Sequence, residues 1–144
     1  MSVLRHKGQL FALDSVCYHA GGPLAVGEIE VVAGRDCVLC PWHHYPVALD
    51  NGEKLYQSTV KDASGKLQPG PWQAVGPRQR THDAEQRADG LYVRLRLDGA
   101  VESDAYAHNV ACGARLAHPA TQPAQRSGAA FQSSRGADGK RSNY

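Results

Sequence analysis

An all-β fold is what this sequence predicts, and three observations carry the prediction. Leu91, Val93, Leu95 and Leu97 alternate with Tyr92, Arg94 and Arg96, the period of two of a half-buried strand. Short aliphatic runs are separated by tight-turn signals of two or three residues. No amphipathic helix of convincing length is present, because Pro69-Gly70-Pro71 and Gly76-Pro77 break the little period that exists between Ser58 and Arg80.

In chain order, residues 3–5 and 9–13 flank Lys7-Gly8 and read as a first hairpin. Residues 28–32 and 37–39 bracket Gly34-Arg35 as a second. Residues 47–49 and 54–56 flank Asp50-Asn51-Gly52 as a third, Asn-Gly being a strong turn signal. Residues 58–80 are expected to form a loop with room for one short helix. The strand at 91–97 is expected to turn its Leu and Val side chains toward a core.

Length allows one modest domain. The chain has 144 residues, but from about Cys112 the sequence turns to Ala, Gln, Ser, Gly, Pro and Arg, the composition of an unordered tail. The folded unit is therefore expected over 1–110 and the tail over 111–144. Charge divides along the same boundary. The tail sets Arg115, Arg126, Arg135, Lys140 and Arg141 against Asp138, a net of +4, which leaves −2 of the overall +2 for the preceding body. The tail's basic residues are scattered and lack interleaved aromatics, so no nucleic-acid partner is expected. No apolar run approaches the roughly 18 residues that span a bilayer, so no membrane partner is expected either. Residues 1–13 lack both a secretory apolar region and an amphipathic Arg-rich presequence, which makes a cytoplasmic location the default.

The chemical information is concentrated in two short boxes, Cys17-Tyr18-His19 and Cys40-Pro41-Trp42-His43, separated by twenty residues. Together they offer two thiolates and two imidazoles. A zinc site accepts such a set, but zinc modules usually pair Cys with Cys and His with His along the chain. A Cys and a His in each box suit a two-iron cluster, in which each box gives a thiolate to one iron and an imidazole to the other. Gly21, Gly22 and Pro23 permit a tight loop whose backbone N–H groups approach the sulfurs. Leu24, Trp42 and Tyr45 are expected to shield one side, leaving His19 and His43 at the solvent edge.

The run CYHAGGPL through CPWHHYPVALDNG, residues 17–52, resembles the cluster-binding half of Rieske-type proteins, above all the small soluble Rieske-type ferredoxins of animals. The likeness extends more weakly through GEKLYQS and the Trp72, Gln79-Arg80 and 91–97 regions. It implies an all-β Rieske iron–sulfur domain of small antiparallel sheets with a loop-built cluster-binding tip. It implies a [2Fe-2S] cofactor held by Cys17, His19, Cys40 and His43, and electron transfer rather than catalysis. By resemblance the donor is a flavin-dependent reductase and the acceptor a terminal oxygenase or similar redox enzyme. The resemblance also makes 81–87 a strand, poorly apolar and therefore an edge or a weak one, and makes the proline-containing stretch between 58 and 80 the segment that closes over the cluster.

Departures from the respiratory Rieske pattern carry their own expectations. That group adds a disulfide between its two loops, and Gly22 and Trp42 stand at those positions here. It also places a Ser and a Tyr hydroxyl near the sulfurs, where this chain has Tyr45 and Val47. Fewer hydrogen bonds leave more negative charge on sulfur, so the potential is expected nearer about −150 mV than +300 mV. The usual opening strand is expected to be missing, since Met1 lies sixteen residues before Cys17, and the bare sheet edge should make the chain less stable and association-prone.

Cys37 is expected to be a small buried hydrophobe, and with Cys112 it forms a spare thiol pair that suits a reducing compartment. His6, His44, His82, His108 and His118 are expected to face solvent without a ligand role, with His44, next to a ligand, the one placed to alter charge at the cluster edge. A complete Rieske oxygenase is not expected, because these 144 residues have no room for the domain that carries a catalytic iron. The alternative left open is a zinc-binding or non-redox interaction module using the same ligands.

Overall fold

The computed structural model describes residues 1–107. Nine strands form: β1 (Ser2–His6), β2 (Gln9–Leu13), β3 (Ile29–Val32), β4 (Arg35–Leu39), β5 (Pro46–Ala48), β6 (Glu53–Lys61), β7 (Leu67–Pro77), β8 (Thr81–Arg87) and β9 (Gly90–Arg94). A 3-10 turn (Leu24–Val26) follows the first box, and one short helix, α1 (Asp104–Ala107), ends the described chain. The strands make two antiparallel sheets, one in the order β1-β2-β8-β9 and one in the order β3-β4-β5-β6-β7. β1 is an edge strand, with no outer partner among the described residues.

The first two hairpins follow from their turn chemistry. Lys7 (φ 48) and Gly8 (φ 81), and again Ala33 (φ 51) and Gly34 (φ 79), both lie in the left-handed region. Two such residues in succession make the turn whose twist matches that of paired strands. The second turn thus sits at Ala33-Gly34, one residue before the position expected from the sequence, and Arg35 already pairs with Val32.

Three expectations fail. β8, expected to be an edge or a weak strand, lies inside its sheet between β2 and β9, its polar side chains being matched across the ladder, as Asp83 is by Arg94. Residues 58–80 are not a loop with a short helix but most of a long hairpin, with β6 paired to β7 from Glu53↔Pro77 to Lys61↔Leu67. Proline cannot donate to a ladder, yet Pro69, Pro71 and Pro77 are tolerated because β7 is an edge strand and a register shift between Gln57 and Thr59 absorbs the Gly70-Pro71 step. The alternating segment at 91–97 does form a strand, but only to Arg94, and its apolar face is largely uncovered, with Val93 alone half-buried. Leu91, Leu95 and Leu97 are 48%, 53% and 70% exposed. The opposite side is the one engaged: Arg94 Nε donates to Asp83 Oδ2 at 2.8 Å, and Arg96 pairs with the same carboxylate. Alternation reports a strand; it does not say which side another layer covers.

The main core gathers Leu13, Leu24, Val38, Val47 and Leu49 around Cys17, Tyr18 and Cys40, so the packed interior lies directly beneath the two boxes. Each fully buried Leu or Val there contributes about 1.5–3 kcal/mol. A second cluster, Val32, Cys37, Ala48 and Leu55, packs between β3, β4, β5 and β6. Cys37 is wholly buried and unpaired there, as expected of a small hydrophobe.

A polar network ties the chain's later elements to the end of β2. Arg80 is 8% exposed and grips Asp104 through Nε at 2.7 Å and Nη2 at 2.6 Å, while its remaining N–H groups donate to the carbonyls of Arg96, Asp98 and Gly99. The Arg80 hydrogen bonds, with the Val101 N–H, hold the Asp104 carboxyl down at about 2. A carboxyl depressed in the folded state gives stability that is complete above its ordinary value of 3.8 and is lost as pH falls through about 2. Asp104→Asn is expected to cost about 1 kcal/mol near neutral pH, allowing for screening at a partly exposed carboxylate, with the gap from wild type closing in acid. Denaturant unfolding across that pH range measures it; a gap independent of pH would dismiss the ion pair as its source.

Candidate metal centre

The two boxes are the same loop built twice. In the first, Cys17 N–H donates to Gly22 O at 2.8 Å and Gly21 N–H to Cys17 O at 2.9 Å. In the second, Cys40 N–H donates to Tyr45 O at 3.0 Å and His44 N–H to Cys40 O at 2.7 Å. Each loop is flanked by a pairing to a proline, Val16↔Pro23 and Leu39↔Pro46. Each also needs a left-handed residue four positions after its cysteine, Gly21 (φ 79) in one and His44 (φ 55) in the other. Glycine takes that conformation freely, whereas histidine is strained there. His44→Gly is therefore expected to stabilise the chain by about 0.5–1 kcal/mol, read from urea unfolding, and a loss of stability would contradict this account.

This shared geometry brings the four expected ligands together as two pairs. Cys17 and Cys40 are 0% and 1% exposed and their thiols are neighbours within hydrogen-bonding reach. His19 and His43 are exposed, their rings 4.9 Å apart and nearly perpendicular. Tyr45 and His19 meet edge to face at 4.4 Å, and Lys54 Nζ lies 4.6 Å from the Tyr45 ring centre. Buried sulfurs inside and imidazoles at the solvent edge match the sequence expectation, as does wholly buried Leu24. Trp42 is 41% exposed, so it covers the site only from its rim.

The local chemistry fits a thiolate-bound metal group. Burial pushes the Cys17 thiol up to about 12, while hydrogen bonds from the His19 and Ala20 N–H groups act in the opposite direction. Those donors are the backbone N–H groups that the Gly-rich loop was expected to turn toward sulfur, and they would stabilise a thiolate once metal displaced its proton. Gly22 leaves the space required: a Cβ there would stand 2.6 Å from Cys40 Sγ and 3.2 Å from Trp42 Cγ. The Tyr18 hydroxyl is buried and has no hydrogen-bond partner among the described residues, and burial raises it above the ordinary phenol range. Cys17 and Cys40 are among the buried side chains clustered with it.

No three His, Cys, Asp or Glu side chains converge on one point among the described residues. The donors stand as sulfur with sulfur and nitrogen with nitrogen.

Several residues that shape the site lie outside the boxes. Gln79 is 1% exposed and reaches the backbone of the first box, and the Tyr106 hydroxyl donates to His19 O at 3.1 Å. His82 is not solvent-facing, as the sequence suggested, but 7% exposed. Arg96 N–H donates to its Nδ1 at 3.2 Å, so a neutral ring carries its proton on Nε2, which faces Asp14 Oδ1 at 3.2 Å. The other Asp14 oxygen accepts from Ser103 Oγ. His108, His118 and Cys112, and the expected tail from 111, lie outside the described residues.

An antiparallel β domain with paired Cys and His donors on twin loops defines a Rieske-type iron–sulfur protein. Residues 1–97 match the family model described as soluble Rieske-type ferredoxin, and the chain belongs to that family. It is also similar to a human Rieske domain-containing protein, with 43% identity over 107 residues, 73% of this chain and 66% of that protein. The chain thus spans just under two thirds of the length of that relative.

Proposed function

We propose that this chain is a one-electron carrier holding a [2Fe-2S] cluster, with Cys17 and Cys40 on the inner iron and His19 and His43 on the outer. The observation that supports this most is the separation of donors into a buried thiol pair and an exposed imidazole pair. When bound, the cluster supplies the redox couple. The protein's own groups set its surroundings: Leu24, Val38, Val47 and Leu49 exclude water on the inner side, and the imidazoles meet solvent on the outer. The donor is a flavin-dependent reductase and the acceptor an oxygenase or similar redox enzyme, both docking on the His19–His43 edge. Among the described residues no helix is long and apolar enough to cross a membrane. We place the protein in the cytoplasm, where its unpaired thiols stay reduced, with the folded unit over 1–110.

Iron, zinc and acid-labile sulfide analysis of the purified full chain tests the assignment. Two irons and two sulfides per chain are expected; one zinc without sulfide would overturn it in favour of a zinc module. The potential of the loaded protein is expected near the low end of the Rieske range, about −150 mV, since Val47 has no hydroxyl to donate to sulfur where the respiratory pattern has one. Redox titration reads it directly, and a value near +300 mV would contradict the argument.

A further inference from the structure

The twin loops are held unequally. The second box closes a hairpin in which Val38↔Val47 and Leu39↔Pro46 pair on either side. The first box has only the isolated Val16↔Pro23 bridge. The β2–β8 ladder that leads to it ends at Leu13↔Thr81, with one further bond from Asp14 N–H to Arg80 O at 3.0 Å. Beyond that point the backbone entering the box has lost its neighbouring strand, and its polar groups need other partners.

One side chain supplies them. Gln79 Nε2 donates to Asp14 O at 2.9 Å and to Val16 O at 3.0 Å, and its Oε1 accepts from Tyr18 N–H at 3.0 Å. The orientation of the amide is unambiguous, because two of its partners can only accept and the third can only donate. The amide thereby continues the ladder where the strand stops. Its contacts at Val16 and Tyr18 bracket Cys17, and Tyr18 precedes His19. The clamp is itself anchored, since Gln79 N–H donates to Gly52 O at 3.0 Å in the turn before β6.

We infer that Gln79 is the positioning residue of the first ligand box, its side-chain amide fixing the directions in which Cys17 and His19 leave the backbone, a role that the strands of its own hairpin perform for the second box. The inference rests on the reading of both boxes as cluster ligands. Gln79 touches neither metal nor substrate; it acts through the backbone of the ligands.

The test uses the full chain, reconstituted with iron and sulfide, with two substitutions of similar volume. Gln79→Met removes all three bonds. Gln79→Glu keeps an acceptor for Tyr18 N–H but loses both donors and sets a carboxylate against two carbonyls. Both are expected to lose cluster to a chelator about tenfold faster than wild type, the scale typical of lost partners behind metal ligands. Both should also show shifted or broadened g-values in the reduced state. Gln73→Met, on the exposed β7, should change neither. Variants with wild-type g-values and loss rates, even if the unloaded chain is less stable, would reduce Gln79 to a core amide and overturn the inference. A measurement on wild type guards against variants that do not fold: the Tyr18 amide should resist hydrogen exchange in the unloaded chain, and rapid exchange there would also overturn it. Failure of the wild-type chain to take up a cluster counts against the proposed function and leaves this exchange result standing by itself.

Discussion

His43→Cys is expected to lower the midpoint potential of the loaded protein by on the order of 100–200 mV while leaving a cluster in part of the molecules. The argument is one of charge. Neutral imidazoles on the outer iron place Rieske centres at about −150 to +300 mV, whereas all-cysteine plant-type clusters lie near about −400 mV. A third thiolate adds a negative charge to the group and favours the oxidised state. Position 43 is suited to the exchange because the second box is held by β4 and β5 and its backbone does not depend on the ring. His43 is also exposed, so a shorter side chain opens no buried cavity. Incomplete occupancy is expected, since a cysteine side chain falls short of where an imidazole nitrogen reaches. Gln73→Cys is the control: the residue is exposed on β7 and outside the proposed ligand set, so its potential should stay at the wild-type value. Redox titrations of the three proteins decide the matter, and an unchanged potential in His43→Cys would remove His43 from the ligand set.

What the sequence disclosed was what is local along the chain. Both boxes were legible because their donors lie within four residues of each other and because Gly21, Gly22 and Pro23 announce a tight loop. The first hairpin was legible because Lys7-Gly8 can turn only a few ways. The β6–β7 hairpin was hidden by its own composition: prolines that argue against a central strand are harmless at an edge, and edge position is a property of the sheet rather than of the segment. The apolar face of β9 was misread for a related reason, since whether a second layer covers Leu91 is decided elsewhere in the chain. The clamp on the first box was the least visible. Gln79 meets Tyr18, Val16 and Asp14 across 61, 63 and 65 residues of sequence, and a single polar residue at that distance leaves no period or spacing to detect. His82 was misplaced in the same way, its partners being Asp14 on one side of the ring and Arg96 on the other.

Gly52→Ala is expected to be the most damaging single-methyl change in the described fold, costing about 4 kcal/mol or more and preventing cluster uptake with it. A Cβ at Gly52 would stand 1.9 Å from the carbonyl oxygen of Gln79 and 2.9 Å from its carbonyl carbon. Both are backbone atoms, so no rotamer change relieves the clash; the 78–80 segment itself must retreat. Gly52 O accepts the N–H groups of Arg78 and Gln79, at 2.9 and 3.0 Å, and a retreat breaks both bonds. It also withdraws the Gln79 amide from the first box and shifts Arg80, whose backbone N–H is held by Ser103 Oγ at 2.9 Å. The left-handed conformation at Gly52 (φ 72) adds strain for any residue with a side chain. Gly65→Ala separates the two effects: Gly65 is equally left-handed (φ 82), but nothing lies within 4 Å of its would-be Cβ, so only the backbone strain of about 1–2 kcal/mol remains. Denaturant unfolding of the two unloaded variants beside wild type gives the comparison. Equal losses in both would show that strain alone governs Gly52 and that contact between the 52 turn and Gln79 does not hold the first box in place.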